Sequence, residues 1–527
     1  MTRLELSLRD DYWEQLDISE SDINYLYNYL IEEEKPTPLS ELVEVFVSAR
    51  IKQIQAVFDK KMQAEGKIFL PKETYQVGDQ LVFPAFDWKK GEVTSKREGN
   101  NPEVPPFEVI GVQMEDGTQR LIATGLAEHA LNNPMVQEGD RDSLKADEII
   151  KQHGKAISET IEKNISKNPD LVCIANKWFA RALLVDVNIG YRNLAEALLD
   201  MEGGGPLTSQ EILKQIDLPT DVNDELTEFS LNYALHQDDR FDEVGATGEV
   251  NWFLKRLEPE WVQRQPKYLQ FQPVDYDQPS VQSMLEMISR QIVDELEDHP
   301  RPVDQQQEIV INLLYPHWRS GALPLAVEVS HLFPTALESD RVQFTFIDEQ
   351  TGKIFSGWVV RPMHYIGGLL EWYDENGVIP GSMIHLRKGK RDGEVIIGLG
   401  RRRPTRDWTR TVLVGADGGV VFAMLKQMIT TDTDDRMAIY VSDKDALDRL
   451  WDTTKPGKYE LTRIIIGMMR ELIKLNPQGH VHFEELYAAV NLRFRCPPGV
   501  ILSILMEQPW ASHLGDLYFN LNREFLE

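Results

Sequence analysis

The charge of this chain reverses sign over one short stretch, residues 386–410, which follows a run of strand-like sequence. The stretch holds nine cationic and three acidic side chains, a net charge of +6, whereas the whole chain of 527 residues carries −29. Long-range repulsion keeps a polyanion away from such an acidic surface, so a nucleic acid can bind only at a local cluster of cationic side chains. We therefore take residues 386–410 as the candidate nucleic-acid-binding edge.

The cations of this edge interleave with an aromatic residue. Three consecutive arginines, 401–403, follow a Gly-Leu-Gly bend, and Trp408 lies between Arg406 and Arg410. This pattern suits phosphate neutralisation combined with base stacking. Two other interpretations stay open, an acidic partner surface and a solvated loop that pairs within the chain. The predicted nucleic-acid-binding residues are Arg387, Lys388, Lys390, Arg391, Arg401, Arg402, Arg403, Arg406, Trp408 and Arg410.

Length and composition indicate a globular protein of several domains. A chain of 527 residues is too long for one core, and 42% hydrophobic residues suffice for packed interiors. The two cysteines, Cys173 and Cys496, lie far apart and outside any Cys-x-x-Cys motif, which fits a reducing compartment. The start of the chain has no apolar signal region, and no run reaches the length of a membrane span. The expectation is a cytoplasmic protein without membrane contact.

Residues 321–400 show short strand patterns with a turn every 8 to 15 residues, which is typical of a compact β-barrel. Four segments follow a turn, strand, helical turn and strand order: Asp348–Lys353, Phe355–Val360, Leu369–Tyr373 and Asn376–Leu386. This order resembles the DNA-binding pseudobarrel of the B3 kind. The resemblance implies a barrel that presents strands or loops to a DNA groove.

Residues 191–254 contain three helical patterns and then a hairpin pattern. Thr208 and Glu211 have the spacing of a capping box, and a third helix is predicted over Asn223–His236. The segments Leu235–Phe241 and Trp252–Leu254 resemble the winged-helix module of the RNA polymerase delta subunit and its relatives. The third helix is acidic or neutral, whereas a helix that reads DNA presents Arg, Lys, Asn or Gln. Protein contact is therefore favoured for this module.

The same order of patterns recurs at the C-terminus. Helices are predicted over Leu461–Leu475, His482–Val490 and from Pro497, followed by a hairpin within residues 510–522. Arg493 and Arg495 precede the third helix, which makes this copy better suited to phosphate contact.

The predicted fold class is an α+β multidomain protein with six parts. They are a helical N-terminal segment (1–67), a small SH3-like β-barrel (68–135), a helical plus winged-helix domain (136–262), a β pseudobarrel with a basic edge (263–410), an α/β connector (411–458) and a C-terminal winged-helix domain (459–527). Within the second of these parts, short strands separated by Gly and Pro indicate the barrel.

No enzyme motif competes with the basic edge. The chain lacks a Gly-x-Ser-x-Gly elbow, a phosphate-binding P-loop and a His-Glu-x-x-His motif. His480 and His482 with Glu484 and Glu485 supply metal-ligand residue types, but a helix N-terminus with polar residues is favoured, since no third cluster is evident. We expect no metal and no cofactor.

The function predicted from these patterns is that of a non-enzymatic, transcription-related protein. It would contact nucleic acid, DNA in preference to RNA, through the basic edge, and RNA polymerase or another protein complex through its winged helices. Two alternatives stay open, an acidic multidomain interaction scaffold and a metal-dependent nuclease-like enzyme.

Overall fold

The computed structural model describes residues 12–64, 67–86, 89–101, 106–132, 145–218, 221–246, 248–288, 292–297, 308–415, 418–454, 457–522 and 524. The chain is an α+β protein of several domains, as predicted. Its contacts divide it into two compact units, residues 1–185 with 221–229 and residues 186–220 with 230–527. Among the described helices, none has the combined length and apolar character needed to cross a bilayer.

The first unit begins with two helices joined by a two-residue strand. The elements are α1 (Glu20–Glu33), β1 (Thr37–Pro38) and α2 (Leu39–Ala64). Ser19 precedes α1, and its backbone N–H donates to the Asp22 carboxylate at 2.9 Å, as in a capping box. The same carboxylate accepts a bond from Arg50 at 2.8 Å, which ties the start of α1 to α2.

A five-stranded sheet follows α2. Its strands are β2 (Lys67–Ile68), β3 (Gln80–Phe83), β4 (Lys89–Glu98), β5 (Glu108–Met114) and β6 (Gln119–Thr124). They pair in sequence order, β2 and β3 in parallel and the others antiparallel. Leu81, Phe83 and Val112 pack against Phe69 and Tyr75 in a separate apolar core. The region predicted to be a small barrel is therefore a β unit with its own core.

After this sheet the chain returns to the core of α1 and α2. The next elements are α3 (Ala146–Ile165), β7 (Leu171–Ile174) and β8 (Lys177–Ala180), and β8 pairs with both β1 and β7. Ile157 and Ile161 of α3 are fully buried in one cluster with Leu30 and Phe46. The boundaries predicted after residues 67 and 135 therefore separate helices that share a core. The four-residue spacing of these isoleucines makes α3 a core helix rather than a solvated connector.

The second unit opens with a helical and hairpin segment. Its elements are α4 (Ile189–Met201), β9 (Leu207–Thr208), α5 (Ser209–Ile216), α6 (Asp224–His236), β10 (Phe241–Glu243) and β11 (Asn251–Leu254). The division between the units falls within α6. The predicted capping box is confirmed, because Thr208 N–H donates to Glu211 at 2.9 Å and the Thr208 hydroxyl accepts from Glu211 N–H at 3.1 Å.

An open seven-stranded sheet forms the middle of the second unit. The helices α7 (Glu260–Gln263) and α8 (Gln278–Ile288) precede strand β12 (Glu308–Asn312). Then come α9 (Tyr315–Ser320), β13 (Ala322–Pro324), α10 (Val327–Ser330), β14 (Arg341–Asp348), β15 (Ile354–Val360), β16 (Tyr365–Gly367), α11 (Leu370–Asn376), β17 (Met383–Lys388) and β18 (Glu394–Leu399). The strand order is β12-β17-β18-β14-β15-β16-β13, and only the β14–β18 pair is parallel. The sheet curls into a half-barrel.

A long hairpin follows directly. It consists of β19 (Arg401–Val414) and β20 (Val420–Thr431), and β21 (Tyr440–Val441) pairs in parallel with β19 before α12 (Lys444–Thr453). Pairing of β19 with β20 continues without a break through residue 410 to Val414. The predicted boundary between residues 410 and 411 thus lies inside a strand, because one ladder of backbone hydrogen bonds spans it.

The C-terminal segment contains α13 (Lys458–Leu475), β22 (His480–His482), α14 (Phe483–Val490), α15 (Pro498–Glu507), β23 (Ala511–Gly515) and β24 (Tyr518–Leu521). The last strand lies between the other two, in the order β22-β24-β23.

This arrangement occurs three times among the described residues. A helix, a short strand, two helices and two strands recur with the orders β1-β8-β7, β9-β11-β10 and β22-β24-β23. We call residues 20–180, 189–254 and 458–521 the first, second and third repeats. The sequence patterns predicted this order only for the second and third. The first escaped detection because the five-stranded sheet is inserted between its second and third helices, which removes the short-range succession of helix and hairpin signals.

Candidate nucleic-acid interface

Four of the ten predicted residues lie at the end of β17 and in the turn that joins it to β18. The Arg387 guanidinium forms an ion pair with Glu349, and Lys388 pairs with Asp392 at 2.9 Å. These pairs are exposed, so each contributes about 1 kcal/mol or less to stability. Either cation can therefore exchange its carboxylate partner for another anion at little cost. The two remaining cations of the turn are exposed and form no ion pair with another described residue: Lys390 and Arg391.

The other six residues belong to β19, in the order Arg401, Arg402, Arg403, Arg406, Trp408 and Arg410. The β19–β20 register shifts between Arg401 and Thr405. Pro404 lies in this interval and has no N–H to donate, which accounts for the irregularity. The side chains of residues 401–403 lie outside the described part of the chain.

Trp408 is the centre of an exposed surface on this hairpin. Its side chain is 63% exposed, and the Lys426 ammonium lies opposite on β20, 5.4 Å from the centre of the indole ring. Side chains two residues apart share one face of a strand, so Arg406 borders Trp408 on β19. Met424 and Met428, both exposed, border Lys426 on β20 in the same way. We call Arg406, Trp408, Met424, Lys426 and Met428 the hairpin platform.

Arg410 lies on the same face but is held in a buried contact. Its side chain is 11% exposed, with Nη1 donating to the Arg436 carbonyl at 2.6 Å and Nη2 to Glu485 Oε1 at 2.5 Å. Burial lowers the pKa of Arg410 from its ordinary value, and the Glu485 carboxylate opposes this shift. Arg410 therefore fastens the hairpin to the third repeat in this structure and does not join the platform.

The predicted cations form two groups rather than one. The turn group precedes β18 and the arginines at 401–403 follow it. The six residues of β18 place about 20 Å between these groups, at about 3.3 Å per residue. A ligand that uses both groups has to be extended.

The third helices of the repeats differ in what they expose. Every residue of α15 from Pro498 to Leu505 is buried, and α6 starts with the exposed acids Asp224 and Glu225. A helix that reads DNA needs exposed polar side chains for the major groove, which α15 lacks over these eight residues. In the first repeat, α3 exposes Lys151, Gln152 and Lys155.

Of the two arginines ahead of α15 that favoured phosphate contact, Arg495 lies in the interior and cannot make it. Arg495 is fully buried, and Arg493 is half-buried, with its Nε donating to Thr454 Oγ1 at 3.3 Å.

Arg495 belongs to a buried ionic network that the sequence patterns did not indicate. Its Nη2 donates to Asp294 Oδ1 at 2.6 Å and its Nη1 to Asp294 Oδ2 at 3.0 Å. Nη2 is also 2.9 Å from Glu295 Oε1, and the other oxygen of Glu295 is bonded to His317 Nε2 at 3.0 Å. The Tyr487 hydroxyl donates to Asp294. Burial opposes ionisation of Glu295, but Arg495 and His317 hold the pKa of its carboxyl below the ordinary range.

The network has a structural role, because its side chains pair their charges and hydrogen-bonding groups with one another in the interior. It joins the segment 292–297 and helix α9 to the third repeat. No local signal reveals it, since Arg495 and Glu295 are 200 positions apart in the chain.

Within the described residues, no three or more His, Cys, Asp or Glu side chains are grouped so as to hold a metal ion. His482 acts instead as the N-cap of α14, with Nδ1 accepting from Glu484 N–H at 3.3 Å. No protein-family model matches the chain, and neither a curated protein nor a solved structure matches it.

Proposed function

We propose that this chain is a non-enzymatic, transcription-related protein that binds nucleic acid through its basic edge and hairpin platform. The observation that carries the proposal is the exposed indole of Trp408, with an ammonium over its face and Arg406 beside it, within a segment of charge +6 in a chain of −29. A contiguous exposed apolar patch on a protein surface is often an interaction site.

The platform suits an unpaired strand better than a duplex. Stacking on Trp408 needs a free base face, which an intact duplex does not offer. The cations on either side of β18 would follow the phosphates, and their separation fits an extended strand. The resemblances to winged-helix and B3-like proteins favour DNA over RNA.

The remaining modules are assigned by the same proposal. The three repeats would be winged-helix modules that bind RNA polymerase or another protein complex, supported by their common order of helices and strands. The half-barrel would be a B3-like pseudobarrel, and the five-stranded sheet an SH3-like barrel. The buried α15 and the acidic start of α6 do not suit the reading of DNA, so protein contact through other surfaces is proposed for the second and third repeats.

Trp408→Ala is expected to weaken binding of a single-stranded oligodeoxynucleotide about tenfold, because stacking of one base contributes about 1–3 kcal/mol. Fluorescence anisotropy with a labelled oligonucleotide measures the change. Tyr459→Ala is the matched control, since Tyr459 is an aromatic residue 79% exposed and outside the platform. Equal affinities of the two variants would show that the platform makes no contact.

Reversal of three charges at the base of the hairpin, Arg401→Glu/Arg402→Glu/Arg403→Glu, is expected to reduce both the affinity and its salt dependence. Each lost phosphate contact lowers the slope of log K against log salt by about 0.7 on a single strand, so the triple variant loses up to about 2. A gel-shift salt titration measures the slope. The control reverses three exposed cations elsewhere and has the same net charge: Lys52→Glu/Lys214→Glu/Arg470→Glu. Equally weak binding by the wild type and both variants would remove the nucleic-acid proposal.

An acidic interaction scaffold is the second candidate, and the pairing of Arg387 and Arg410 with carboxylates of the same chain favours it. In that case the apolar side chains of the platform would bind a protein. No oligonucleotide binding by the wild type at low salt would leave this candidate in place. Nothing in the described residues favours the metal-dependent nuclease.

A further inference from the structure

A cleft of about 340 Å³ lies in the second unit, against the third repeat. Its floor is the buried His482, its walls include the half-buried Tyr518 and Arg436, and its exposed rim is formed by Pro477 and Gln478. The other lining residues are Asn476, His480 and Glu485. The volume falls at the lower end of the roughly 300–1,000 Å³ range of small-ligand pockets.

Arg410 connects the strand that carries the hairpin platform to two residues that line the cleft. This residue follows Trp408 by two positions on the same face of β19, a step of about 7 Å along the strand. Its guanidinium bonds to Glu485 and to the Arg436 carbonyl, and both of these residues line the cleft. The cleft therefore lies on the side of the platform where Arg410 is, and a strand bound on Trp408 can continue toward it.

The walls of the cleft combine an aromatic surface with hydrogen-bonding groups. The Tyr518 ring makes T-shaped contacts with two imidazoles, 4.7 Å from His480 and 4.9 Å from His482 between ring centres. Asn476 Nδ2 donates to His480 Nδ1 at 3.2 Å, so His480 carries its proton on Nε2 and donates it to Gln478 Oε1 at 2.6 Å. Asn476 is fixed further, since its Nδ2 also donates to the His480 carbonyl at 2.9 Å and its Oδ1 accepts from Gln478 N–H at 3.0 Å. The rim thus holds both amide side chains in fixed orientations beside Tyr518.

The charges of the cleft are paired and do not favour an anion inside it. Arg436 Nη1 is 3.1 Å from the buried Glu484 carboxylate, and Glu485 is paired with Arg410. A phosphate placed in the cleft would meet the Glu485 carboxylate in its lining, while Arg436 is already neutralised by Glu484. A neutral planar ligand with its own donors and acceptors meets no such opposition.

We propose that the cleft receives one unpaired nucleobase of a strand bound on the hairpin platform, with the base against Tyr518 and its polar edge toward Gln478 and Asn476. This assignment rests on the proposed function and adds a base-binding subsite to it. Single-stranded recognition commonly extrudes a base in this way, onto an aromatic side chain with hydrogen bonds to its edge.

The test uses the four free deoxynucleosides as probes, because they carry no phosphate and cannot use the basic edge. Saturation-transfer NMR on the full chain is expected to show binding of at least one of them to the wild type. The rim-filling variant Gln478→Trp is expected to lose this binding at least tenfold, and Pro477→Trp provides a second filling variant if the first fails to fold. Gln282→Trp makes the same exchange at an exposed position on α8 and is expected to bind as the wild type does.

Trp408→Ala separates this inference from the function on which it rests. The variant is expected to lose oligonucleotide affinity and keep nucleoside binding. Absence of any nucleoside signal in the wild type, or unchanged signals in both filling variants, would overturn the subsite. If the subsite is overturned in this way, a loss of oligonucleotide binding in Trp408→Ala would still support the hairpin platform.

Discussion

Arg495→Met is expected to lower the free energy of unfolding of the second unit by about 3–5 kcal/mol. The substitution leaves Asp294 and Glu295 as buried carboxylates without their guanidinium, and an uncompensated buried charge carries a penalty of this size. Methionine preserves much of the side-chain volume, so the loss reports on charge more than on a cavity. A urea titration followed by tryptophan fluorescence measures the shift in the unfolding midpoint.

Lys388→Met is the control for this prediction, because it breaks an exposed ion pair with Asp392 that is worth about 1 kcal/mol or less. Neutralising the acids as well, in Arg495→Met/Asp294→Asn/Glu295→Gln, is expected to restore part of the stability. If Arg495→Met unfolds at the same urea concentration as Lys388→Met, the network does not hold the third repeat in place.

Acidification from about pH 6.5 to about pH 4 is expected to destabilise the protein by roughly 3 kcal/mol through His482 alone, at 1.36 kcal/mol per pKa unit. Burial, assisted by the nearby Arg436 cation, lowers the pKa of His482 from 6.5 to about 4. Between these pH values the unfolded chain binds a proton at this imidazole and the folded chain does not. Unfolding therefore takes up a proton, so stability falls as the pH falls through this window.

The measurement compares urea midpoints between pH 4 and pH 7 for the wild type and His482→Asn. Asparagine retains an acceptor for the start of α14, where His482 Nδ1 now caps the helix, and removes the titrating group. The variant is expected to lose most of the pH dependence that His482 adds. His513→Gln removes an exposed imidazole from the same repeat and serves as the control. A pH profile of His482→Asn identical to that of the wild type would contradict the assignment.

These two predictions concern the same part of the molecule as the proposed binding surface. Arg410 and Arg436 fix the hairpin and its following loop to the capped start of α14 through Glu485 and Glu484. His482 forms the floor of the adjacent cleft. Loss of these contacts is therefore expected to displace the platform as well as to destabilise the third repeat.

Several local features were readable from the residues alone. The Thr208–Glu211 capping box is confirmed, because both of its hydrogen bonds join groups only three residues apart. The order of elements in the second and third repeats follows from hydrophobic period and turn residues, which act over a few positions. Trp408 beside Arg406 was identified from spacing, and the structure leaves Trp408 exposed.

The partners of these residues were not readable. Lys426, Met424 and Met428 join Trp408 only through the register of β19 with β20, which backbone pairing across the hairpin decides. Arg406 and Arg410 both lie two positions from Trp408, so the local sequence does not distinguish them. Arg410 is buried because it pairs with the Glu485 carboxylate, 75 positions away. The sequence indicates a single cluster of cations, whereas in the structure strand β18 lies between two groups of them.

The sequence by itself determined the charge island, the helix starts and the strand alternation, because each depends on neighbours along the chain. Only the tertiary structure decided which cations stay at the surface, which arginine is buried with two acids, and that the first repeat carries an inserted sheet. These outcomes depend on contacts between groups as much as 201 positions apart, where burial and ion pairing outweigh the local pattern.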